Sequence, residues 1–100
     1  MLNKNLLIIL FSSLLGACSS AYIIPDGASS NQVFQEACSG CHKVKESPEI
    51  FFKIKAQNRN ISTISNKISG GSLIMPGFPN IRGRELQGLS EYVLSHSIEK

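Results

Sequence analysis

At 100 residues the chain has room for one domain at most. Ten basic residues against seven acidic leave a net charge of +3, too small an excess to argue for nucleic acid as a partner. With only three cysteines, two histidines and two methionines, the chemistry-bearing residues are scarce enough for each position to be weighed by itself.

The first segment in chain order, "MLNKNLLIILFSSLLGACSS", has the layout of an export signal. Lys4 supplies the positive start. Leu6 to Leu15 is an apolar run broken only by Ser12 and Ser13, and Gly16 and Ala17 are the small residues that processing requires. The run is shorter than the roughly 20 residues that span a bilayer. "LGAC", Leu15 to Cys18, resembles a bacterial lipoprotein lipobox. That resemblance implies a signal peptide over residues 1–17 and Cys18 as the first mature residue, carrying the lipid. Stable anchoring needs more than one acyl chain, and such lipoproteins carry several. The expected location is therefore a bacterial membrane, facing the periplasm or the cell exterior.

The mature chain, residues 18–100, is small enough that its core needs help from a disulfide, a metal or a cofactor. Losing Lys4 leaves nine basic residues against seven acidic. Residues 18–30 read as the lipidated cysteine and a short tether, with Pro25-Asp26-Gly27 as a turn. From Asn31 the pattern is helical: Val33, Ala37 and Cys41 recur every four residues, as do Phe34 and Cys38, and Ser29 or Ser30 is placed to cap the start. Ser47-Pro48-Glu49 predicts a second helix with Ile50, Phe51 and Ile54 turned inward. Ile61, Ile64 and Ile68 predict a third, closed by Gly70-Gly71. Ser72 to Asn80, with two prolines and a glycine, is a loop. Gly83 to about Ser97 predicts the last helix, with Leu86, Leu89, Tyr92 and Val93 on one face. No strand pattern and no internal repeat is visible, so the expected class is all-α.

Cys38-Ser39-Gly40-Cys41-His42 carries the chemistry, and four readings compete for it. A thioredoxin-type dithiol needs a preceding strand, and no strand pattern precedes this one. A zinc site needs four ligands, and only His96 is left to add. A Cys38–Cys41 disulfide closes a very short loop and leaves His42 without a role. Covalent haem attachment through C-x-x-C-H uses all three residues. Cysteines at i and i+3 share one side of a helical turn and can reach one porphyrin edge, with the next histidine on the iron. An electron carrier then needs a sixth iron ligand. After cleavage the single methionine is Met75, in the Pro/Gly-rich loop. His96 reads as a solvated histidine at a helix end, where it suits the helix dipole.

Together these residues resemble the small monohaem class I cytochromes c, over about Asn31 to Ser95. "VFQEACSGCH" matches the first helix and haem motif, "GGSLIMPGFPNI" the methionine-ligand loop, and "RELQGLSEYVLSH" the terminal helix with its tyrosine. The resemblance implies a class I cytochrome c fold of three to five short helices in residues 31–100, around one covalent haem c. It implies thioethers at Cys38 and Cys41, iron ligands His42 and Met75, and a Pro48 carbonyl that accepts a hydrogen bond from the His42 ring. Ser30 stands where the family often has a glycine at the crossing with the last helix, and Gly88 on the facing helix is an alternative place for that close approach. Arg82 takes the usual capping position of the last helix, with Asn80 as an alternative cap.

The expected pocket residues are Phe34, Ile50, Phe51, Ile54, Ile61, Ile64, Ile68, Leu73, Ile74, Phe78 and Leu86. With both axial positions filled, the expected role is one-electron transfer and not enzymatic catalysis. The partners are redox proteins: an oxidase, a reductase or a peroxidase. The basic residues Lys43, Lys45, Lys53, Lys55, Arg59 and Lys67 offer a docking surface for an acidic partner. Two rivals remain at this stage. One is a haem-based sensor or peroxidase-like protein with a labile Met75. The other is a haem-free, disulfide-stapled surface lipoprotein.

Overall fold

The structure is a computed structural model that describes residues 21–45 and 47–100. The signal segment and Cys18 lie outside the described residues. Among the described residues three helices carry the fold: α1 (Ser30–Ala37), α2 (Ile61–Gly70) and α3 (Gly83–Ser95). A single 3-10 turn, Ala56–Asn58, precedes α2.

Each helix boundary has a local cause. Ser29 caps α1, its Oγ accepting from the Gln32 N–H at 3.2 Å. Asn60 caps α2 the same way, accepting from the Thr63 N–H at 2.8 Å. Gly71 ends α2 at φ +69°, where an L side chain is strained. Arg82 is the N-cap of α3 and makes no side-chain capping bond; Asn80 does not replace it. α3 packs against both α1 and α2. Where it crosses α1, a Cβ on Gly88 would lie 3.1 Å from Ser30 Oγ. Where it meets α2, the buried Ser90 hydroxyl lies 2.7 Å from Ser65 Oγ and donates to the Leu86 carbonyl, so no polar atom is stranded there. The core is Val33 and Phe34 of α1, Ile64 and Ile68 of α2, Leu89 and Val93 of α3, with Phe52, Phe78 and Ile81 from the connections.

The helix expected from Ser47 is absent. Ser47-Pro48-Glu49-Ile50 is a turn closed by the Ile50 N–H on the Ser47 carbonyl at 3.1 Å. Serine first and proline second suit a β-turn as well as a helix start, and the next residues decide between them. Those residues form β1 (Phe52–Ile54), which pairs in parallel with β2 (Ser97–Glu99), Phe52 opposite Ser97. The last helix accordingly stops at Ser95, before the expected end. Strand alternation buries Phe52, a position that the helical pattern left out.

Arg59, grouped by the charge pattern with surface lysines, turns inward and donates from Nη2 to the Ser97 carbonyl and hydroxyl. His96 is not solvated either. It is half-buried, stacked on Tyr92 at 3.9 Å between ring centres, and its Nδ1 donates to the Tyr92 carbonyl at 2.7 Å.

Residues 22–28, expected as part of a tether, lie against the body. Tyr22 donates to Glu36 Oε1 at 2.8 Å and meets the Phe78 ring edge-on, while Ile24 and Ala28 pack on the core.

Candidate cofactor site

The C-x-x-C-H residues follow directly from the end of α1. Cys38 is its C-cap, and the turn continues through the Cys41 and His42 N–H groups, which both donate to the Cys38 carbonyl at 3.2 and 2.9 Å. Both thiols are free. Cys38 is half-buried and Cys41 exposed. Burial, then the neighbouring Cys41, pushes the Cys38 thiol up to about 11. A thiol held in its protonated form is the opposite of an activated redox dithiol.

His42 is half-buried with its ring 4.6 Å from that of Phe52. Burial and the nearby Lys45 charge lower its pKa, which favours the neutral imidazole that binds metals. Pro48 is exposed in the 47–50 turn, and among the described residues no hydrogen bond joins it to His42.

Met75 sits on a loop that the end of α2 holds tightly. Two hydrogen bonds close it, from the Ser72 N–H to the Met75 carbonyl at 2.8 Å and from the Met75 N–H to Ser72 Oγ at 3.2 Å. The Phe78 N–H then ties it to the Ile68 carbonyl at 2.8 Å. The close approach needs two glycines. A Cβ at Gly71 would lie 2.5 Å from the Gly77 nitrogen, and one at Gly77 would lie 2.8 Å from the Gly70 carbonyl carbon. The signal for these glycines in the sequence is their position on either side of Met75, the only methionine besides Met1.

Cys38, His42 and Met75 line one cavity of about 970 Å³. That is at the upper end of the roughly 300–1,000 Å³ usual for ligand pockets. Its apolar wall is Phe51, Phe52, Ile54, Ile64, Ile68 and Val93. Lys45, Lys53, Lys55, Lys67 and Lys100 also line it, and among the described residues no Asp or Glu side chain does. Of the expected pocket residues, Phe51, Ile54, Ile64 and Ile68 are lining residues. Phe34 and Phe78 are buried in the core, and Leu73 and Ile74 are fully exposed at the tip of the Met75 loop. Phe52, Val93 and Lys100 are additions from the strand pairing and from α3. Chemically, the cavity brings together a thiol, an imidazole and a thioether over an apolar floor, with cationic side chains around them.

No protein-family model matches the chain, and no solved structure matches it. Among curated proteins it is similar to cytochrome c6 of Cyanidium caldarium, 27% identical over 101 residues that span 92% of this chain and 93% of that protein. Similarity at this level over nearly the whole of both chains, with three helices in the structure, supports a small c-type cytochrome with a mostly helical fold.

Proposed function

We propose that the chain is a monohaem c-type electron carrier, exported and tethered to a bacterial membrane through lipid on Cys18. In this reading it passes single electrons between redox proteins such as an oxidase, a reductase or a peroxidase. The observation that carries it is the meeting of the Cys38–His42 motif with Met75, far from it in the sequence, in one cavity of suitable size with an apolar wall. The lysine lining fits a cofactor with carboxylate groups, and the free thiols fit covalent attachment. The similarity to a cytochrome c6 points the same way.

Cys38 and Cys41 would hold the haem by thioether bonds, and His42 and Met75 would ligate its iron. When bound, the haem supplies an iron that changes oxidation state by one electron, and His/Met ligation favours the reduced form. The rest is the work of the chain. The Phe51, Phe52 and Ile64 side chains line the cavity and would keep water from the iron's surroundings, which would raise the potential further. The close Gly71–Gly77 backbone contact would hold the Met75 loop in place against the cofactor and so disfavour loss of this ligand.

The test is the full precursor produced together with haem-attachment machinery. A pyridine haemochrome spectrum should show one covalent haem. Met75→Ala should lower the reduction potential and give a high-spin or misligated spectrum. Absence of covalent haem would end the reading, and an unchanged Met75→Ala protein would remove Met75 from the ligand set.

A further inference from the structure

The segment between the proposed lipid site and α1 is packed, and that decides how far the domain stands from its membrane. Tyr22 is held twice, by the 2.8 Å hydrogen bond to Glu36 of α1 and by edge-on contact with Phe78, ring centres 6.4 Å apart. Behind it, Ile24 and Ala28 pack on the core, and the Ala28 N–H closes the Pro25 turn at 3.1 Å. The chain is thus fixed to the body from Tyr22 onward. Only Ser19, Ser20 and Ala21 separate Cys18 from Tyr22 in the sequence. However those residues run, they span at most about 14 Å. A tether free to residue 30 would reach about 40 Å by the same rule. Ile23, one residue into the strap, is 73% exposed and turned away from the body, while its neighbours Tyr22 and Ile24 face inward.

We infer that the Tyr22–Ala28 strap is a short leash that holds the domain against the lipid headgroups, with the Tyr22 and Ile23 end facing the bilayer. The inference rests on lipidation of Cys18, as proposed above. The occupant of this face is a lipid surface: the leash starts there, and an outward isoleucine beside it is the kind of side chain that enters an interface. A domain held this way exchanges electrons with partners embedded in the same membrane or lying flat on it.

Neutron reflectometry on supported phosphatidylcholine bilayers carrying the lipidated, haem-loaded protein measures the water gap between headgroups and protein. The natural chain should show no resolvable gap. Inserting twelve Gly/Ser residues after Ala21, outside the packed body, should open a gap of about 20 Å. Tyr22→Ser should broaden the protein layer by releasing the strap. An equal gap for the natural and inserted chains, both membrane-bound, would overturn the leash and leave lipidation standing. Protein that does not attach to the bilayer at all would overturn the lipidation reading and the leash with it.

Discussion

The residues most constrained by the fold are two glycines that do no chemistry. Gly71 combines a positive φ with backbone atoms 2.5–2.8 Å from where a Cβ would stand, and these atoms belong to Met75, Pro76 and Gly77. Backbone cannot move aside as a side-chain tip can. Gly71→Ala should therefore cost about 1–3 kcal/mol of stability and also displace the loop that carries Met75. Gly70, one residue earlier, has no neighbour within 4 Å of its Cβ position and no positive φ. Gly70→Ala should be neutral or stabilising by about 0.5 kcal/mol, as for glycine in a helix. Urea unfolding of the haem-loaded variants measures both, and a similar loss in each would show that the clash at Gly71 does not hold the loop. The pair is a direct comparison because Gly70 ends α2 and Gly71 is its C-cap, so the two adjacent sites differ only in conformation and surroundings.

At the scale of elements, the N-terminal strap has a pH signature. Tyr22 is raised to about 12 by partial burial, then by the hydrogen bond to Glu36 and the Glu36 charge. Its folded pKa lies above the ordinary value of 10, so the protonated phenol favours the folded state. That contribution is complete below about pH 10 and is lost as pH rises toward 12. Glu36 shifts down, chiefly through hydrogen bonds from Gln32 and Tyr22, so its contribution is present above the ordinary carboxylate range and lost on acidification. In Tyr22→Phe the alkaline loss should shrink to the part left by Tyr92, whose phenol is also shifted upward by burial, as seen in unfolding midpoints measured between pH 9 and 12; an identical alkaline slope would mean the strap is not held by the Tyr22 phenol. The elements also show what could be read from residue order. The helices were legible from the cap at Ser29 for α1, from the Ile61–Ile64–Ile68 spacing closed by Gly71 for α2, and for α3 from the apolar face of Leu86, Leu89 and Val93 alone. Ser47–Ile54 was misread because serine, proline and glutamate suit both a helix start and a turn. Pairing with Ser97–Glu99, more than forty residues away, settles it. The site residues were legible as scarce types, whereas the cavity wall depended on long-range contacts that bring Phe52 and Val93 beside them.

For the whole molecule, charge placement matters more than the net excess. Lys45, Lys53, Lys55, Lys67 and Lys100 come from four separate parts of the chain, yet all line the same cavity. Arg59 leaves this set for Ser97, and Lys100 joins it because the Lys100 N–H donates to the Ile54 carbonyl at 3.0 Å, fixing the chain end beside β1. Cations gathered where one cofactor edge would meet solvent raise the encounter rate of an acidic partner more than its final affinity. Small redox reagents of opposite charge test this without knowledge of the natural partner. Oxidation of the reduced protein by hexacyanoferrate(III), an anion, should slow several-fold between about 10 and 200 mM salt, since the Debye length shrinks from about 30 Å to under 10 Å. Oxidation by a tris(phenanthroline)cobalt(III) cation should speed up over the same range. Reversing charge with Lys55→Glu and Lys67→Glu together should weaken both trends, and both residues are exposed, so the fold is expected to survive. Equal salt dependence for anion and cation in the natural chain would show that the lysines neutralise the cofactor's own carboxylates and leave no field to steer a partner.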